Sequence, residues 1–105
     1  CSEEANGILN CEYRILQKAD LSGRELHNIK LFQAVLIEAD LSDSSLIEAS
    51  LVDADLSGAD LRYANLERAN LERANLERAN LRWVNLSGAN LEEAIATEHT
   101  AWPDG

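Results

Sequence analysis

The chain has 105 residues, 46% of them hydrophobic and 27% charged, with a formal net charge of −10. That length gives one domain with one core, and the acid excess argues against general nucleic-acid binding and against an anionic membrane surface. No stretch approaches the roughly 18 apolar residues of a membrane span, and no signal peptide is visible, though a chain without methionine reads as a processed or trimmed form.

Residues 1–13 precede any regular pattern and read as an N-terminal cap. Ser2-Glu3-Glu4-Ala5 predicts a short helical turn, with Ser as N-cap and acids in the first turn, ended by Asn6-Gly7. Cys1 and Cys11 leave three readings open. They form a disulfide that pins the cap, which implies an oxidising compartment such as a periplasm or thylakoid lumen. They are two thiols of a cytoplasmic protein, or Cys1 is the acylated first residue of a lipoprotein.

From 14 to 95 the chain is written in fives. Leucine recurs at every fifth position from Leu16 to Leu91, sixteen in register, and Leu66 to Asn80 repeats LERAN three times. Two residues ahead of most leucines stands a small residue, Ala in eleven repeats from Ala19 to Ala89 and Val84 in one. A helix advances about 100° per residue and would smear this period around every side, and a straight strand would send successive leucines to opposite faces. The chain must therefore turn once per repeat. In an extended segment residues two apart share a face, so Ala and Leu point inward together and a large residue beside a small one fills a narrow interior.

The runs Ala39-Asp40-Leu41-Ser42, Ala59-Asp60-Leu61-Arg62 and Ala69-Asn70-Leu71-Glu72 resemble the A(D/N)Lxx signature of pentapeptide-repeat proteins over roughly four fifths of the chain. The resemblance implies an all-β solenoid, a right-handed quadrilateral β-helix with four repeats per coil. It therefore implies about four coils, a tower about 20 Å tall at the usual strand spacing. The ending Thr100 to Gly105 is similar to that of many cyanobacterial members.

Within that frame Arg14 and Arg24 fall on inward positions in the first coil and must lie over the open end or reach outward. Ser44, also inward, requires a backbone partner for its hydroxyl. From 31 to 60 the outward positions carry acids without Lys or Arg, together with Phe32, Val35, Ile37, Ile47 and Val52, which read as packing between coils ahead of a contact surface. From 61 to 85 alternating Glu and Arg read as a soluble face. With twenty residues per coil, Arg62 and Tyr63 lie beneath Arg82 and Trp83, a composition like that of a binding hot spot, though mutual stacking that stabilises the ladder weighs ahead of it. Residues 96–105 read as a C-terminal cap, with Trp102-Pro103 over the final coil.

No catalytic constellation is present, so the chain reads as no enzyme and as needing no cofactor. His27 and His99 stand alone, without metal-ligand spacing, and the serines follow the repeat. A column of Asp20, Asp40 and Asp60 suggests at most a weak calcium or magnesium site, and Asn85-Leu86-Ser87 matches a glycosylation sequon that the repeat generates by accident. The family resemblance implies a protein-interaction or scaffold module with an unidentified protein partner. A second role carried by some relatives is imitation of duplex DNA to bind DNA gyrase. No hydrophobic C-terminal segment suggests the two-fold dimer of those relatives, so the expectation is a monomer.

Overall fold

The structure, a computed structural model, describes residues 1–103. From Ile15 to Asn75 the bridging residue, the one just before each leucine, pairs in parallel with the residue twenty positions on: Ile15 with Val35, Asp40 with Asp60, Asn65 with Asn85, Asn75 with Ile95. Five residues per side and twenty per coil make the coil four-sided, as the resemblance implied. The leucines from Leu31 to Leu81 have no measurable exposure, and Ala34, Ala39 and Ala49 to Ala79 are buried beside them.

A mid-tower repeat with Asn ahead of its leucine finds an acceptor for every backbone donor. In the repeat centred on Leu71, the Leu71 N–H donates to Asn90 of the next coil and the Arg73 N–H to Glu92, while Asn70 N–H donates back to Ala49. The Ala74 N–H closes a turn onto the Leu71 carbonyl, 3.0 Å. That leaves the N–H of Glu72, which donates to Asn70 Oδ1 at 3.0 Å. The same bond recurs from Ser22, Ser42, Ser57, Arg62, Glu67 and Glu77 onto the Asp or Asn two residues earlier, which is the physical reason for the repeat's Asp or Asn. Asn70→Ala is expected to lower stability by about 1 kcal/mol by removing that acceptor, whereas Asn70→Asp keeps it; urea midpoints of the two variants measure the difference.

The second turn residue of every repeat from Tyr13 to Glu93 has a positive φ; fourteen of these are not glycine. Gly58 and Gly88 sit in this row where an added Cβ would come 3.1 Å from the side chain of the residue twenty earlier, Glu38 or Arg68. Elsewhere in the row stacked side chains meet directly, as Arg73 does Asp53 and Trp83 does Tyr63.

Both ends depart from expectation. Ser2–Glu3 is a strand (β1), not a helical turn. It pairs antiparallel with Leu9–Asn10 (β2) around a turn at Asn6-Gly7. Four residues are too few to hold a helix, and here Glu4 is drawn across the hairpin to Lys30 Nζ at 3.0 Å and Asn10 Nδ2 at 3.2 Å. Lys30 and then Asn10 hold the Glu4 carboxyl below its ordinary pKa. Asn10 already pairs with Lys30, and Cys11 stands buried at a leucine position, joined to Cys1 with an S–S distance of 2.00 Å. At the upper end the register slips by one: Asn80 pairs with Ala101, twenty-one residues on. Buried Thr100 takes the small inward position, its hydroxyl donating to the Leu76 carbonyl at 2.7 Å, and Trp102 follows at a leucine position, packed against the core. Asp104 and Gly105, the end of the expected cap, lie outside the described residues. The longest dimension is 40 Å, with 24 Å across, rather than the 20 Å height expected. Pairing outruns the leucine register at both ends, and the hairpin adds its own length.

Arg14 and Arg24 are exposed. The Ser44 hydroxyl donates to the Leu41 carbonyl at 2.6 Å.

Candidate interface

The side built from Ala19–Gly23, Ala39–Asp43, Ala59–Tyr63 and Ala79–Trp83 gathers the four residues singled out from sequence. Because Asp60 pairs with Asn80, the turn residues 62 and 63 lie beneath 82 and 83. The rings of Tyr63 and Trp83 stack, centroids 4.9 Å apart and planes 9° from parallel. Stacking covers one face of each ring, yet Tyr63 remains 57% and Trp83 58% exposed. Phenylalanine at 32, half-buried, meets Tyr13 edge-on at 5.6 Å on another side.

The two arginines of this side differ. Arg62 grips Asp60 with two bonds, Nε to Oδ1 at 2.9 Å and Nη2 to Oδ2 at 2.7 Å. Arg82 is exposed and, among the described residues, has no acid within ion-pair distance. Arg78, at the preceding corner, is in the same condition, and sequence reasoning passed over it as one more member of the LERAN run. Arg68 and Arg73, in contrast, reach acids one coil below, Glu48 at 3.9 Å and Asp53 at 2.9 Å. The Glu-Arg alternation therefore serves cohesion between coils on those sides and leaves uncompensated positive charge here.

The Arg62 guanidinium holds the Asp60 carboxyl below its ordinary pKa. A depressed folded pKa stabilises the fold above the carboxyl's unfolded pKa, and that contribution is lost as pH falls through the folded value. Arg62→Ala is expected to move the Asp60 titration upward toward the usual carboxylate range, read by carbon-detected NMR of the side chain. Asp20 is likewise held low, first by the Ser22 hydroxyl at 2.6 Å. In the same column Asp40 accepts from Ser42 Oγ at 2.6 Å. Each carboxylate of the column is thus engaged within its own repeat.

Among the described residues there is no pocket and no group of three or more His, Cys, Asp or Glu side chains able to hold a metal ion. His27 and His99 lie on the surface, 3.0 Å from Glu25 and 3.5 Å from Glu98. No helix is long and apolar enough to cross a membrane among those residues.

The sequence matches the Pentapeptide repeats family in eight copies over residues 25–62 and 54–92. No curated protein matches it. Among solved structures it is similar to Rfr23, a pentapeptide repeat protein of the cyanobacterium Cyanothece 51142, at 40% identity and a TM-score of 0.86 over 91% of this chain and 64% of that one. It is also similar to HetL of Nostoc sp. PCC 7120, a pentapeptide repeat protein involved in heterocyst differentiation regulation, at 34% identity and a TM-score of 0.63, covering 91% of this chain. The chain thus spans 64% of the first relative's length and 50% of the second's. It belongs to the pentapeptide repeat family, and its coil is that family's right-handed quadrilateral β-helix.

Proposed function

We propose that this chain is a non-enzymatic protein-interaction or scaffold module that binds through the side carrying Arg62, Tyr63, Arg82 and Trp83. The supporting observation is that Tyr63 and Trp83 remain more than half exposed after stacking on each other. Ladder packing accounts for one face of each ring and not for the rest. Aromatic rings beside an arginine free of internal acids supply contact area at low entropic cost and a charge-assisted donor, the composition of interface anchors. Sides without a pocket among the described residues suit a protein surface better than a small substrate.

The test is capture from lysate of a source cell with the native chain and with Arg62, Tyr63, Arg82 and Trp83 all changed to Ala. A partner held by the native chain and lost from the variant supports the reading; an identical catch from both removes it. Gyrase subunits in the catch would favour imitation of DNA, a reading supported by the charge of −10 and the stacked column Asp20, Asp40 and Asp60. The arginines of the upper half interrupt the acidic surface that imitation needs. The joined Cys1 and Cys11 favour an oxidising compartment, a periplasm or thylakoid lumen, for this module.

A further inference from the structure

We infer that the partner of this side is a second copy of the chain, the two towers running antiparallel with this side of each against the other; this rests on the reading of that side as a contact surface. Its two outward columns are graded along the tower. The second turn residues run Gly23, Asp43, Tyr63, Trp83 and the first turn residues Ser22, Ser42, Arg62, Arg82. Both columns are small or acidic at the lower end and large or basic at the upper.

A two-fold axis crossing the tower within the contact plane, between the coil of Asp40 and that of Asp60, turns each column to face itself in reverse order. Trp83 then meets Gly23 of the second copy, where nothing stands within 4 Å of an added Cβ. Tyr63 meets exposed Asp43, whose carboxylate can accept from the phenol. Arg82 meets the row of Ser22 and Asp20, gaining the acid it lacks in its own chain. Arg62 meets the row of Ser42 and Asp40. A parallel pairing, about an axis running along the tower, would exchange the two columns level for level, setting Arg82 against Trp83 and the acids of the lower end against each other. Only the antiparallel pairing brings Arg82 to an acid, so the charge grading selects it. Lys18 and Arg78 approach each other only at the rim, where solvent screens them. The molecule measures 40 Å by 24 Å along this side, room for the roughly 800 Å² per partner of a standard interface. The expectation of a monomer rested on the end of the chain, and this pairing uses its flank.

Sedimentation equilibrium over a wide concentration range tests the pairing. The native chain should reach twice its 11.6 kDa mass. Trp83→Gly should hold it at the single mass, and so should Gly23→Trp, which crowds the opposing indole while leaving all four anchor residues in place. Backbone strain does not bar this change, since Gly23 and Trp83 share a left-handed φ of 68° and 63°. The double variant exchanges the two residues and should restore pairing. Arg82→Glu, which sets a carboxylate against Asp20, repeats the test with the Gly23 backbone untouched. A native chain that stays at the single mass, a Gly23→Trp variant that still pairs, or a double variant that does not, would overturn the inference. A lysate partner held by the native chain and by Gly23→Trp but not by the fourfold Ala variant would preserve the contact side while self-pairing fails.

Discussion

Leu61→Ala, at mid-tower, is expected to lower stability by about 2 to 5 kcal/mol. Leu61 has no exposure, and its neighbours above and below, Leu41 and Leu81, have none either. The interior is one side chain deep from each of four sides, so no second layer can move in to fill the space that the lost carbons leave. Relaxation would require a coil to shift against bonds such as Leu61 N–H to Asn80 and Asp60 N–H to Ala39, at 2.8 and 2.9 Å. The cost should fall at the upper end, where Leu91 is only partly buried and the open coil can close on the gap. Urea titrations of Leu61→Ala and Leu91→Ala measure the contrast. Equal losses would mean that the interior is not a continuous stack.

The second large effect concerns Cys1 and Cys11. The bridge closes a loop across ten residues of separation, for which chain-entropy reasoning gives roughly 3 kcal/mol of stabilisation. Cys1→Ser should lose that much and no more, because the exposed Cys1 leaves no gap. Cys11→Ser should lose a further 1 to 3 kcal/mol or so, since it leaves a hydroxyl at a leucine position that is 2% exposed. Reductant should lower the melt of the native chain toward that of Cys1→Ser and leave Cys1→Ser itself unchanged. Equal melts with and without reductant would show that the native chain carries no bridge.

The interior was legible because it depends on one repeated contrast, a leucine two residues after an alanine, and a period of five admits few ways of bringing both inside. The aromatic side was legible for the same reason: once the coil is twenty residues, adjacency is arithmetic. The left-handed turn residues were not legible, because the row holds Lys18, Glu38, Arg68 and Trp83 where glycine or asparagine would have signalled a positive φ. Their strain is met by the stacked coil, which fixes the turn through bonds above and below. The hairpin was misread because one of the two acids that resemble a helix start, Glu4, is held by Lys30, twenty-six residues away. Cys11 did carry a signal, standing five residues before Leu16, and its register with the leucines places it in the core. The one-residue slip had only half a signal: the register fails where Ala96 stands in place of a leucine, but nothing there says that pairing resumes one residue late, at Ala101.

Site-directed photo-crosslinking tests most directly whether the aromatic side is where this protein makes contact. A photoreactive phenylalanine analogue at position 83 and, separately, at position 72 on the opposite side reports what lies against each surface in extracts of a source cell. The account predicts a discrete crosslinked species from position 83, containing a second copy or another protein, and none from position 72. The same species from both positions, or none from position 83, would contradict it.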